Sequence, residues 1–93
     1  MRSVTIQIGN SDDKLTQTEW SKYVHEVSEL VVWKAVEVHF FGCSPSDREW
    51  QNACWAITVE ANDVDSLRSG LARIRATYRQ DSVAFTTGTT EFV

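Results

Sequence analysis

Little in this chain could cross-link, kink or punctuate it: two cysteines, one proline and four glycines in 93 residues. Two cysteines cannot build the disulfide framework that small secreted domains depend on. Cys43 and Cys54 therefore read as ordinary thiols of a reducing compartment. A single proline excludes a proline-rich linker. No apolar run approaches the roughly 20 residues of a membrane span. The opening stretch, Met1-Arg2-Ser3-Val4-Thr5, alternates like a strand and lacks a signal-peptide core. The expectation is a cytoplasmic protein with no membrane partner. Positive charge is scarce as well, and the formal net charge of −4 disfavours non-specific binding to nucleic acid. All three lysines, Lys14, Lys22 and Lys34, lie in the first half. The second half uses arginine alone, at Arg48, Arg68, Arg73, Arg75 and Arg79.

What is present suffices for one modest core. Hydrophobic residues make up 42% of the chain and include four tryptophans, so a single globular domain over 1–93 is expected. The best specified stretch runs from Leu15 to Val31. Thr16 and Glu19 stand three apart, as in a capping box, and Leu15 and Trp20 are spaced to form a hydrophobic staple. Trp20, Tyr23, Val24, Val27, Leu30 and Val31 then recur at threes and fours, on one stripe at about 100° per residue. Lys22, His25, Glu26 and Glu29 fall outside it. The β-branched Val31 and Val32 weaken the helix, which should end near Val32 or Trp33.

Around this helix the rhythm changes to two. Val4, Ile6 and Ile8 alternate with small polar residues; Val36, Val38 and Phe40 alternate with Glu37, His39 and Phe41; Trp55, Ile57 and Val59 alternate with Cys54, Ala56, Thr58 and Glu60. Gly9 to Asp13 is a loop, and so is Gly42 to Arg48 around Pro45. The second and third strands are near enough to form a hairpin with a long tip. Asn62 or Asp63 caps a second helix with Val64, Leu67, Leu71, Ile74 and Tyr78 on its apolar face. Gly70, inside it, costs about 1 kcal/mol and reflects either close packing or tolerance. Val83 and Phe85 open a last strand, with a bend or bulge at Thr86–Thr90.

The order β-α-β-β-α-β predicts an α+β fold, a ferredoxin-like βαββαβ sandwich. Its two helices would lie on one face of a four-stranded antiparallel sheet. Val36, Val38 and Phe40 are assigned to the covered face. The open face is assigned Ser3, Thr5, Gln7, Glu37, His39, Phe41, Cys54, Ala56, Thr58 and Glu60. RNA-recognition motifs of the same element order stack bases on aromatics of the first and third strands. Here those positions hold Thr5, Gln7, Cys54 and Ala56, so single-stranded RNA binding is not expected. A face of small residues with one Phe suits sheet-to-sheet dimerisation, and equally suits plain solvation.

No stretch carries a specific catalytic or ligand-binding motif, and no catalytic residue, metal or cofactor is assigned. His39, Cys43 and Cys54 have no ligand spacing of note, and a Cys43–Cys54 bridge would need an oxidising compartment. His25 reads as a surface histidine beside Glu29. Arg68, Arg75 and Arg79 share one flank of the second helix, either as an anion or acidic-partner contact or as a solvated flank meeting Glu26 or Glu29. Trp50 and Trp33, off the apolar faces, point to a partner surface or else cover a core edge. Gly9-Asn10 could let a ligand approach the helix start, as in ACT-type regulatory domains, although Asp12 and Asp13 would repel an anion there.

The stretch Ile6-Gln7-Ile8-Gly9-Asn10-Ser11-Asp12-Asp13-Lys14-Leu15-Thr16-Gln17 resembles the start of small uncharacterised proteins of actinobacteria and their phages. The resemblance implies no activity and no site residue; it implies a phage or mobile-element accessory protein that contacts a host component. The expected function is a small non-enzymatic protein–protein interaction module, self-associating, with Trp50, Trp33, Phe41, Arg68, Arg75 and Arg79 as contact residues. The alternatives are a small-ligand sensing domain using the Gly9–Lys14 loop and a dimeric α+β-barrel enzyme with His39 in a cavity between sheet and helices.

Overall fold

In a computed structural model, described over residues 1–10, 13–45 and 50–93, the chain runs β1 (Arg2–Gly9), α1 (Gln17–Lys34), β2 (Glu37–Cys43), β3 (Asn52–Val59), a 3-10 turn (Ala61–Asp63), α2 (Val64–Thr77) and β4 (Ala84–Gly88). The class is α+β, in the predicted element order. The four strands form one antiparallel sheet in the order β2-β3-β1-β4. Each helical crossover skips one strand, so β1 and β3 are central and β2 and β4 are edges. The roles expected for Asp12, and for Arg48 and its neighbours in the hairpin tip, fall outside the described residues.

The period-two pattern is obeyed where the strand is central. Val4, Ile6 and Ile8 of β1 and Ala53, Trp55, Ile57 and Val59 of β3 are all buried. Tyr23, Val27 and Val31 of α1 and Leu67 and Leu71 of α2 pack on them in one core, which places both helices over the same sheet face. α1 begins as expected: the Glu19 N–H donates to Thr16 Oγ1 at 3.2 Å, and Thr16 N–H donates to Glu19 Oε1 at 3.1 Å. Leu15 and Trp20 are both buried. The helix extends one or two residues beyond its expected end, to Lys34, because packing of Val31 outweighs the weak propensity of the valine pair.

Three expectations fail. First, β2 carries a bulge. Val38 is opposite Ile57 and Phe40 is opposite Ala56, with His39 extra between them. A bulge reverses which face the following side chains take, so Phe40 lies on the open face and Phe41 on the helix-covered one, the reverse of the sequence assignment. The strand also continues through Gly42 and Cys43, which were expected to be loop. Second, neither Asn62 nor Asp63 caps α2 with its side chain; the 3-10 turn already curls the chain into the helix, and Ser66 Oγ donates to Asp63 O at 3.0 Å. Third, β4 runs to Gly88 in unbroken register with β1, and Glu91-Phe92-Val93 is not strand.

Gly70 is explained by close packing. A Cβ there would stand 2.8 Å from Leu30 Cδ2, because α1 and α2 meet at this point. Gly70→Ala should be nearly neutral, since a helix-propensity gain of about 1 kcal/mol is offset by displacement of Leu30. In a Leu30→Ala background the same change should stabilise by about 1 kcal/mol. Urea denaturation of the four proteins tests this. Equal effects of Gly70→Ala in both backgrounds would show that the Leu30 contact does not govern the site.

Candidate interaction surface

The central strands are covered by helices; the β2 edge is not. Val36, Val38, Phe40 and Phe41 are all exposed, with Phe40 at 56% and Phe41 at 46%. Phe41 leans on Trp55 with ring centroids 5.1 Å apart, and Trp55 Nε1 donates to Ser28 Oγ of α1 at 3.3 Å. Val32, one turn after Ser28 on the same flank, is exposed as well. An apolar band thus runs from the last turns of α1 onto the helix side of β2. On the other side Phe40 lies over Gly42, where a Cβ would come within 2.6 Å of its ring; glycine is what lets the ring lie flat. The bulge at His39 interrupts the outward row of backbone groups and so guards the edge against long strand addition. What β2 presents is chiefly side chains.

Of the residues expected to make contacts, three belong to this side. Phe41 is part of the band. Trp33, 83% exposed, sits at the end of α1 just before β2, and Trp50, 68% exposed, precedes β3 at the far end of β2. Neither covers a core edge; they stand at the two ends of the strand. The arginines do not join them, nor one another. Arg68 bonds Asp65 at 2.8 Å and lies over the Phe85 ring at 5.0 Å. Arg75 Nη1 donates to Gln80 O at 2.7 Å. Arg79 lies beyond the end of α2 with φ of 59°, and its Nη2 reaches Glu19 at 2.7 Å. The acidic partner on α1 is therefore Glu19, not Glu26 or Glu29.

The other polar candidates are also separated. His39 shares a 2.7 Å hydrogen bond with Thr58 Oγ1 on the open face, away from the helices. Cys43 is opposite the buried Ala53 while Cys54 is opposite Gly42 on the other face, so the two thiols point apart and cannot bridge. Partial burial pushes the Cys43 thiol up. Among the described residues no group of His, Cys, Asp and Glu is arranged to hold a metal ion. His25 pairs with Glu29 at 2.9 Å on the surface, as expected.

The helix entry considered for a ligand is filled from within. Asn10 is fully buried: its Nδ2 donates to Leu15 O at 3.0 Å and to Gln51 Oε1 at 3.3 Å, while its Oδ1 accepts from Leu15 N–H at 3.1 Å. Gln51 and Gln17 exchange hydrogen bonds at 3.0 and 2.8 Å. This network ties the end of β1 to the start of β3 and of α1, and no periodicity in the sequence announces it. Asn10→Asp keeps the shape but replaces the donor with a buried carboxylate facing two oxygens. It should cost more than about 2 kcal/mol at neutral pH and cost less as the medium is acidified, since burial favours the protonated acid. A chemical-denaturation series in acid and at neutrality tests this; a loss independent of pH would mean that packing, not the donor, is what Asn10 supplies.

The hydrogen bond from Arg79, then that from the Thr16 backbone, holds the Glu19 carboxyl below its usual value of 4.5. A lowered folded-state pKa adds stability above the unfolded value and loses it as pH falls through the folded one. Stability should therefore decline below about pH 4.5 partly through Glu19. Glu19→Gln should flatten that decline while lowering stability at neutral pH; thermal melts across the acid range test this, and an unchanged acid limb counts against it. At the other extreme, the hydrogen bond to Glu26 holds the Tyr78 hydroxyl up to about 12, and burial does the same for Tyr23, which stacks on it at 5.0 Å. Compared with known proteins, the chain matches no family model and no curated sequence.

Proposed function

We propose that this chain is a small non-enzymatic interaction module of ferredoxin-like type that works by laying its β2 side against a protein surface, in the first instance that of a second copy. The observation that carries the reading is the run of Val36, Val38, Phe40 and Phe41 left open along one edge. Apolar side chains on an uncovered edge gain by burial at about 25 cal/mol per Å², and contiguous exposed patches of this kind mark interaction sites. A two-fold pairing uses one patch twice and closes. Trp33 and Trp50 at the strand's ends are anchors of the type that dominate interface energetics. A host-component partner, which the N-terminal resemblance implies, would use the same side. The strand order and the two split crossovers support the ferredoxin-like reading.

The two alternatives draw less support. A sensing role at the Gly9–Lys14 loop needs unoccupied polar groups there, and the Asn10 side chain already meets those of Leu15. A barrel-type enzyme needs His39 in a cavity between sheet and helices, and His39 stands on the opposite face beside Thr58. In a dilution series by light scattering, the protein should pass from dimer to monomer. Val38→Lys and Phe40→Lys, both at exposed positions, should weaken association by about tenfold or more each with circular dichroism unchanged. A chain that stays monomeric at millimolar concentration, with β2 amide shifts independent of dilution, defeats the self-association reading.

A further inference from the structure

The sheet's other edge is guarded in a different way. β4 carries no charge and no proline in Ala84–Gly88, and no bulge breaks its register with β1. Only its shortness protects it. Beside it, between α2 and β4, lies a slot of about 110 Å³ lined by Arg68, Leu71, Ala72, Arg75, Val83 and Phe85. Its floor is apolar and both charges on it are arginines. These stand seven residues apart on α2, about 10 Å along the helix axis. Arg68 donates to Asp65 and Arg75 to the Gln80 carbonyl, and each of these bonds uses one of a guanidinium's five N–H donors. The Arg68 guanidinium lies over the Phe85 ring at 5.0 Å, so its charge borders the slot while the side chain stays half exposed.

We propose that β4 and this slot together bind an extended acidic peptide segment. Its main chain would add as a fifth strand beside β4, an apolar side chain would enter the slot, and flanking carboxylates would meet Arg68 and Arg75. Strand addition supplies affinity through main-chain bonds, and the pocket beside the edge supplies specificity through alternate side chains. Charge selects the partner. The chain is acidic overall, at −4; here Arg75 and Arg68, the latter already paired with Asp65 and with further N–H donors left over, flank an apolar floor, and Arg binds carboxylates in bidentate fashion. The slot, at about 110 Å³, has room for one apolar side chain. None of this depends on the β2 surface.

The probe is a fluorescein-labelled pentapeptide alternating glutamate and valine, titrated into the 15N-labelled full chain. Saturable shifts are expected at the amides of Phe85 and Thr87, with β2 unmoved. Arg68→Glu with Arg75→Glu should weaken binding by about tenfold or more and should reverse the preference in favour of a lysine–valine peptide. If the double variant does not fold, Arg68→Gln, which alters surface contacts only, should still weaken binding severalfold. The same peptide N-methylated at alternate residues keeps its charges but cannot pair, and should lose binding; charge attraction alone would not show this. Absence of β4 shifts at millimolar peptide, equal binding of the glutamate and lysine peptides, or undiminished binding of the N-methylated peptide each overturns the proposal. So does an oligothymidylate that competes at Arg68 and Arg75 with higher affinity, which would make the slot a nucleic-acid contact. Since the β2 variants are read by dilution and these by titration, either surface can fail without the other.

Discussion

Seven side chains on one face of the two central strands are the support on which the rest of the chain is assembled. Val4, Ile6 and Ile8 stand beside Ala53, Trp55, Ile57 and Val59, and none is more than 3% exposed. Burial on this scale is available only to strands that have neighbours on both sides and helices above. It fixes α1 and α2 over β1 and β3 and leaves little helix to cover the outer strands. The apolar residues of β2 and β4 are therefore incompletely buried because of topology, and any surface the protein offers is to be sought at its edges. Trp55 links the two regimes. Its indole is buried and tied to Ser28, while its ring supports Phe41 at the rim.

The two helices and the two central strands were legible because each depends on a local, repeating cause. A period of 3.6 or of 2 survives any tertiary arrangement that buries one face, and the Thr16–Glu19 capping box is complete within four residues. The same reasoning failed at β2 because a bulge is not periodic. Val36, Val38 and Phe40 alternate in the sequence as cleanly as Val4, Ile6 and Ile8. Nothing in that alternation shows that His39 will be left over when the strand pairs with β3. The cost of the extra residue is settled across strands, by Val38 meeting Ile57 and Phe40 meeting Ala56. The one available signal was three aromatic rings in a row at His39, Phe40 and Phe41, which strict alternation cannot place without exposing large apolar surface on one side.

Polar positions were legible in proportion to how local their partners are. His25 and Glu29 are one turn apart and paired as expected. Arg79 and Glu19 are 60 residues apart, and Asn10 and Gln51 are 41 apart. Neither pairing could be read without the fold. Asn10 shows why a loop that resembles a ligand site in composition need not be open. An asparagine side chain carries both a donor and an acceptor, so it satisfies the N–H and the C=O of Leu15 together and ties the end of β1 to the helix entry. For the same reason the arginines of the second half, which suggest a single basic flank, divide among a carboxylate, a main-chain carbonyl and a residue on another helix.

The bulge also decides what kind of surface β2 is. Without it, Phe40 would join Val38 on the helix side and Phe41 would take its place on the open face. The edge would then present an unbroken ladder suited to indiscriminate strand addition, the geometry that leads to aggregation. With it, the ladder is interrupted, Phe41 is the ring set against Trp55, and apolar area stands on both sides of the sheet margin. A partner that buries it must wrap the edge and match its shape, and that is a more selective requirement than pairing backbone to backbone. β4, with no bulge, leaves its ladder open beside the arginine-rimmed slot. One small sheet thus has two unlike edges, one interrupted by a bulge and lined with exposed apolar side chains, the other an unbroken ladder beside two arginines.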